Sequence, residues 1–163
     1  MSTLNVTTVK ATEIEHTNGT VAATIDSSGR LLYPQLPSFH AFNGVATGGA
    51  AETTVQFTTA GVNNGSHYNT GTYRFTAPVA GNYFFAFGGM AGGATANRFG
   101  IYKNGSLYGG QKYAVAQTYE RFSVCWIVPM AVNDFVTIVT GIGGGSENSV
   151  HVDYREFSGF LIG

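Results

Sequence analysis

The side chains that could do chemistry are few and far apart in this sequence. The four histidines are spread along the chain: His16, His40, His67 and His151. No two of them have the i, i+4 spacing of a helical metal site, so each fits a surface or strand position better than a ligand position. Asp153 and Glu156 flank Arg155, a spacing that suits a solvated ion pair; the paired carboxylates of a glycosidase would need a geometry that sequence does not give.

The cysteine and the glycine clusters also lack the neighbours that reactive or phosphate-binding groups need. Cys125 lies in the apolar run 123–128 with no cationic residue to activate it, so we expect a buried and inert thiol. The glycine clusters at 88–89, 92–93 and 143–145 precede no Lys-Ser or Lys-Thr pair, so we expect them in loops at one end of the fold and not around a phosphate. The sequence therefore predicts no catalytic residue and no enzyme.

Composition excludes several classes of protein. The 163 residues are 44% hydrophobic and 10% charged with a net charge of −1, too little charge for a nucleic-acid or anionic-lipid surface. No apolar run approaches the roughly 18 residues of a membrane span, and residues 1–5 have neither the basic nor the apolar part of a signal peptide. A single cysteine forms no intrachain disulfide. So large a neutral surface favours self-association.

Short alternating runs separated by glycine-rich turns predict an all-β fold. The 12 Phe, 9 Tyr and 23 Gly are typical of aromatic strands joined by tight turns, and Asn104-Gly105 is a strong hairpin signal. The runs expected to form strands are 54–58, 72–76, 82–87, 98–103, 122–128 and 135–139, followed by 150–154 and 157–162, which form two strands or one bent strand. About ten strands at spacings near 8–12 residues fit a sandwich or a jelly roll.

A change of composition near residue 34 divides the chain into three parts. Residues 1–33 are rich in threonine and could form three or four short strands, which have too little bulk for a core of their own. Residues 34–38 contain two prolines and form a stiff connector, and residues 39–163 are the aromatic, strand-rich head. We expect partner chains to order the first part. The apolar residues expected to attach it to a larger particle are Leu4, Val6, Val9 and Ile25.

One segment of the head carries a family signature. Residues 68–85 read Tyr-Asn-Thr-Gly-Thr-Tyr-Arg-Phe-Thr-Ala-Pro-Val-Ala-Gly-Asn-Tyr-Phe-Phe. This run resembles the globular head of complement component 1q, one of the tumour necrosis factor-like jelly rolls. Further pieces follow in the order of that family: 101–105, 132–136 (with Asn133 where the family usually has glycine) and 157–162.

The resemblance implies a ten-stranded jelly-roll sandwich that assembles as a homotrimer and is not an enzyme. The aromatic residues expected at the trimer interface or in the core are Tyr83, Phe85, Phe87, Phe157 and Phe160. Some members of the family hold calcium. Asp134 and Glu147 are candidates for such a site by residue type alone, and we assign no cofactor.

The amino-terminal part has a second resemblance. Residues 2–9 and 22–30 resemble the leading segments of tailed-bacteriophage fibre and appendage proteins, particularly marine ones, and the collagen-like stalk of animal complement 1q proteins is missing. This resemblance implies a trimeric virion protein that contacts other virion proteins through residues 1–33. Assembly of the virion in the reducing cytoplasm of the host fits a chain without disulfides.

The sequence leaves three functions open. The first is the tip of a tail fibre or appendage that binds a host surface glycan or receptor. Aromatic rings and amides suit a glycan, and the candidate residues in expected loops are Asn64, His67, Tyr68, Asn97, Tyr108, Tyr113 and Tyr119. The alternatives are a capsid decoration protein with no host ligand and a secreted lectin-like module.

Overall fold

The computed structural model describes residues 11–44, 52–91, 97–110, 113–115, 119–142 and 151–163. The chain divides into two units, Met1–Leu36 and Pro37–Gly163, and the division falls within the expected connector 34–38. The attachment residues expected at Leu4, Val6 and Val9 lie outside the described residues. No helix in the described part of the chain is long and apolar enough to span a membrane.

The first unit contains a three-stranded antiparallel sheet. Its strands are β1 (Glu13–Glu15), β2 (Val21–Ile25) and β3 (Leu31–Leu32), with β2 in the middle. The turn after β2 forms because the Asp26 carboxylate accepts hydrogen bonds from the backbone N–H groups of Ser28 and Arg30, both at 2.9 Å. Gly29 supplies the left-handed φ of 79° in this turn, which glycine adopts without steric cost.

The second unit is an all-β structure. Its strands are β4 (Ser38–Phe42), β5 (Thr53–Thr54), β6 (Thr59–Asn64), β7 (Tyr68–Asn69), β8 (Arg74–Thr76), β9 (Gly81–Met90), β10 (Asn97–Lys103), β11 (Ser106–Leu107), β12 (Tyr113–Val115), β13 (Arg121–Met130), β14 (Phe135–Thr140) and β15 (Glu156–Leu161). Two short 3-10 turns, Tyr108–Gly110 and Val152–Tyr154, are the helical segments among the described residues. The all-β prediction is confirmed.

The strands of the second unit form two antiparallel sheets. One is five-stranded with the order β13-β9-β15-β4-β6. The other is seven-stranded. Five of its strands follow the order β11-β10-β14-β8-β7, and the remaining two are β12, which pairs with β10, and β5, which pairs with β14. The sequence predicts about ten strands. The two sheets contain more than that, because two-residue segments such as β5 and β11 count as separate strands.

Strand β9 shows how the sequence builds the core between the sheets. Its residues alternate, so that Tyr83, Phe85 and Phe87 are fully buried while Phe84 and Ala86 face the other side. The buried Phe157 of β15 lies 5.9 Å from Phe85, measured between ring centroids. Four of the five aromatic residues expected at the interface or in the core therefore lie in the protomer's own core.

Three expectations about individual segments are corrected by the structure. Cys125 is exposed, because it takes an outward position between Val124 and the buried Trp126 in the alternation of β13. The 88–89 glycines lie inside β9 and not in a loop, because β9 pairs with β13 along its whole length. Residues 152–154 form a 3-10 turn and not a strand, with the Tyr154 N–H donating to the His151 carbonyl at 3.2 Å.

Candidate functional site

The outer side of the five-stranded sheet presents an apolar surface to solvent. The backbone register aligns Ile127 of β13 with Phe84 of β9, and Phe84 with Phe160 of β15. The rings of Phe84 and Phe160 lie 5.3 Å apart, and Ile127 and Phe160 are 60% and 43% exposed. We call this surface the apolar face. Its residues are Val62, Phe84, Ala86, Cys125, Ile127, Phe160 and Ile162.

Gly159 lets β15 pack closely against the core. A Cβ at this position would meet the ring of Phe39 at 2.9 Å and the ring of Phe85 more closely still. Glycine at this position therefore lets β15 lie close to the core aromatics. Side chains alternate along the strand, so Phe157 faces the core together with position 159, and Phe160 faces outward.

Charged residues lie at one end of the apolar face. The His40 Nε2 atom is 3.3 Å from the Glu156 Oε2 atom, and the Arg121 guanidinium lies 5.6 Å from the centre of the Tyr154 ring. Together they border an open cavity of about 370 Å³. The middle of the face, around Phe84, carries no charged residue, so a partner that covers it has no charge to desolvate there.

The two acidic residues near Arg155 each lie beside a histidine. The Asp153 Oδ2 atom lies 3.9 Å from His151 Nδ1, and the Glu156 Oε2 atom lies 3.3 Å from His40 Nε2, so each carboxylate has a histidine beside it. Arg155 is buried, not solvated as expected, and its Nη2 atom donates to the Gln56 carbonyl at 2.9 Å. Burial lowers the pKa of Arg155. Its burial and this hydrogen bond support a structural role for Arg155 and not the solvated ion pair that the sequence predicts.

The five residues expected in host-binding loops whose side chains the structure describes lie in different settings. Tyr68 is corrected from an exposed position to a core position, since it is 3% exposed and stacks on Phe39 at 4.9 Å. Burial also raises its pKa. Asn64 ends β6 opposite Ser38. His67 is half-buried, its ring lies 6.3 Å from Phe75, and burial lowers its pKa.

The remaining loop candidates are dispersed. Tyr108 is half-buried, and its hydroxyl donates to the Ile127 carbonyl at 3.4 Å. Tyr119 is 67% exposed. Asn97 and Tyr113 lie in β10 and β12, and their side chains are outside the described part of the structure.

Asp134 joins two turns of the seven-stranded sheet region. One of its carboxylate oxygens accepts from Asn104 Nδ2 at 2.7 Å. The other accepts from the Ala131 backbone N–H at 2.7 Å and lies 2.9 Å from the Lys103 ammonium. Both oxygens are therefore engaged by donors, which disfavours a calcium ion at Asp134. Glu147 lies outside the described residues, within which no group of three His, Cys, Asp or Glu side chains could hold a metal.

The Asp134 contacts predict a pH-dependent stability. Hydrogen bonds from Asn104 and Lys103 lower the pKa of Asp134 to about 2. Because an unfolded Asp titrates near about 3.9, this stabilisation is complete above that pH and is lost as the pH falls toward the folded value. We expect Asp134→Asn to be less stable than wild type at neutral pH and the difference to shrink on acidification, measured by urea denaturation.

A control carboxylate makes this test specific. Asp153 has a side chain that is 73% exposed, and Asp153→Asn is expected to keep the wild-type profile between neutral and acidic pH. A profile of Asp134→Asn that runs parallel to wild type throughout would contradict the assignment.

Two packed antiparallel sheets of this strand order define a jelly-roll fold. The sequence matches the family described as C1q domain over residues 39–162, and the chain belongs to this family. Domains of this family are generally non-enzymatic binding modules and are often trimeric. No curated protein matches the sequence.

Solved structures share the fold. The globular domain of zebrafish complement 1qA protein is 20% identical, with a TM-score of 0.62, over 78% of this chain and 98% of that chain. Murine APRIL at pH 8.0 is 11% identical, with a TM-score of 0.57, over 78% of this chain and 99% of that chain. At these identities the likeness concerns the fold alone.

The sequence analysis missed most of the apolar face. Of its residues only Phe160 is among those expected at an interface or in the core. Residues 124–128 of β13 are all apolar, so the sequence does not show that Ile127 faces away from the core; the alternation appears only in the burial of the folded strand. The alignment of Ile127 with Phe84 and Phe160 depends on the pairing of three distant strands, which no local signal gives.

Proposed function

We propose that this chain is the homotrimeric, non-enzymatic binding head of a bacteriophage tail fibre or appendage. The C1q domain assembles with two further copies through the apolar face and contacts the host surface. The first unit attaches the trimer to other virion proteins, and assembly takes place in the host cytoplasm. The membership in a family of binding modules supports this proposal, as does the resemblance of residues 2–9 and 22–30 to phage appendage proteins.

The apolar face is the observation that carries the trimer. An isolated protomer would leave Ile127, Phe160 and Ile162 in water on one side of one sheet. Soluble monomers rarely expose contiguous apolar patches of more than a few hundred Å². Three copies around a threefold axis cover the same face on each copy and leave no copy of it unpaired, which closes the assembly.

The first unit also has apolar residues for a partner to cover. The register of its sheet places Ile14 opposite Ala23, and Ile25 opposite Leu31, so these four residues share one side. Ile14, Ile25 and Leu31 are more than a third exposed. Chains shorter than about 40 residues usually need a metal, disulfides or oligomerisation to be stable, and this unit ends at Leu36. A partner that covers this side would therefore stabilise it.

Removal of the first unit tests whether the second unit folds and trimerises alone and whether the first unit is needed for attachment to the particle. We expect a chain of Pro37–Gly163 to fold and to remain trimeric by light scattering, because its core aromatics and its apolar face lie within that range. Mixed with particles that lack the protein, the full chain is expected to bind and the shortened chain is not.

Two outcomes would contradict this proposal. A shortened chain that fails to fold would make the first unit part of the head. Location of the full chain at threefold positions of the capsid, and not at the tail or baseplate, would favour the decoration function instead.

A further inference from the structure

A cavity with the chemistry of a sugar site opens on the outer side of the seven-stranded sheet. Strand β10 pairs along one edge of β14, while β8 and β5 both pair along the other edge, at its two ends. Between β8 and β5 the surface is recessed into a cavity of about 370 Å³ above Thr137. The residues that line it are Glu52, Thr54, Thr72, Arg74, Tyr102, Gly105, Phe135, Thr137 and Val139.

The floor and the walls of this cavity differ in chemistry. Tyr102 and Val139 form the floor and belong to a small buried cluster with Ile142. The walls carry the hydroxyl groups of Thr54 and Thr72, which both donate and accept hydrogen bonds. An apolar floor with convergent polar groups is the usual construction of a small-molecule site.

Arg74 and Glu52 place opposite charges on the two sides of the cavity. The guanidinium carbon of Arg74 lies 4.8 Å from the centre of the Phe135 ring, so the cation rests on that ring. Across the cavity, the Tyr102 hydroxyl donates a hydrogen bond to the Glu52 carboxylate. Burial, followed by the nearby Glu52 charge, raises the pKa of Tyr102, so the hydroxyl remains a donor.

Backbone strain lies on both sides of the same cavity. Glu52 has a φ of 49° and Tyr73, between the lining residues Thr72 and Arg74, has a φ of 58°. Left-handed conformations are uncommon for residues other than glycine and cluster at ligand sites. The Asn69 side chain supports the second of them, because its Oδ1 atom accepts from Thr72 N–H at 2.9 Å.

We propose that this cavity binds an uncharged pyranose ring of a surface glycan. The inference rests on the proposed host-binding function and gives that function a site away from the apolar face. Arg74 and Glu52 together offer planar donors and acceptors, which match neighbouring hydroxyls of a sugar ring. Tyr102 and Val139 supply the apolar floor against which the apolar side of the ring packs, while Arg74 covers the Phe135 ring.

The balance of charge selects the class of sugar. One cation and one carboxylate line the cavity, so its formal net charge is zero. It therefore offers an acidic sugar no net attraction, because Glu52 repels the carboxylate that Arg74 attracts. The remaining polar lining side chains are neutral hydroxyls. A single ring binds weakly to one such cavity, and copies on one trimer would gain affinity by avidity.

Saturation-transfer NMR on the full-length protein tests the proposal. The probes are the methyl glycosides of glucose, galactose, mannose and N-acetylglucosamine, with N-acetylneuraminic acid as the acidic sugar. We expect at least one neutral glycoside to bind with a Kd on the order of 1 mM. Arg74→Met keeps the aliphatic contact with Phe135, and Glu52→Gln keeps the shape; each is expected to weaken binding about tenfold, since each removes charged hydrogen bonds.

A matched arginine and a fold check complete the design. Arg30→Met, in the first unit, removes an arginine whose side chain is 75% exposed and is expected to leave binding unchanged. Trimer mass and melting temperature are measured for every variant. A trimer that binds no neutral glycoside, or binds the acidic sugar alone, would overturn the cavity assignment while leaving the trimer intact. A protein that binds sugar equally well after Arg74→Met and Glu52→Gln would also overturn it. A wild-type chain that is monomeric would overturn the proposed function instead.

Discussion

Phe160→Asp is expected to convert the proposed trimer into a folded monomer. Phe160 lies on the apolar face, 5.3 Å from Phe84, and is 43% exposed in the protomer, so an aspartate there remains hydrated while the chain is alone. In the trimer the same carboxylate would be buried without a partner, at a cost of several kcal/mol for each copy. The molecular mass by light scattering should therefore fall to one third while the circular dichroism spectrum stays that of a β protein.

The exposed Cys125 gives this prediction a second measurement. It lies opposite Ala86 on the apolar face, and it is the single cysteine of the chain. We expect a thiol reagent to label it slowly in the wild-type trimer and faster in Phe160→Asp. Val79→Asp is the control, since Val79 is exposed in the turn before β9 and outside the five-stranded sheet. A Phe160→Asp protein that stays trimeric with a protected Cys125 would place the interface elsewhere.

Tyr83→Asp is expected to prevent folding altogether. Tyr83 is fully buried between the sheets, and its ring lies 5.4 Å from Phe75 and 6.1 Å from Phe85. An unpaired carboxylate at this depth costs several kcal/mol, which is comparable with the whole stability of a domain, about 5–15 kcal/mol. We expect insoluble protein or a spectrum without β structure.

Tyr83→Phe separates the ring from its hydroxyl. The hydroxyl donates to the Val79 carbonyl at 2.9 Å, and its loss is expected to cost about 1 kcal/mol while the protein folds and assembles normally. A folded monomer from Tyr83→Asp would contradict the core position, because that result belongs to a residue of the apolar face.

The sequence predicts the strands well because their signals are local. The aromatic run of β9 and the Asn104-Gly105 turn after β10 are properties of a few consecutive residues. Alternation also identifies Tyr83 and Phe84 as residues on opposite sides of one strand. Alternation does not say which side of a strand meets the other sheet. The sequence alone therefore does not tell that Tyr83 lies in the core and Phe160 on the apolar face.

The features that sequence analysis misses depend on strands far apart in the chain. Tyr68 follows a turn and looks exposed, but Phe39 of β4 covers its ring. The cavity above Thr137 joins Glu52 to Arg74 because β5 and β8 pair with the same edge of β14. Neither contact leaves a trace in the residues next to it, so pairing of the strands has to be known first.

The hydrogen bonds of Asn104 bear on its rate of deamidation. Asparagine before glycine is the sequence most prone to spontaneous deamidation, which begins when the next backbone nitrogen attacks the side-chain amide carbon. Here the amide is held on both sides, since its nitrogen donates to Asp134 and its oxygen accepts from the Phe135 N–H at 2.9 Å. We therefore expect slow deamidation of Asn104 in the folded chain, at a turn where a new aspartate would place a second negative charge beside Asp134.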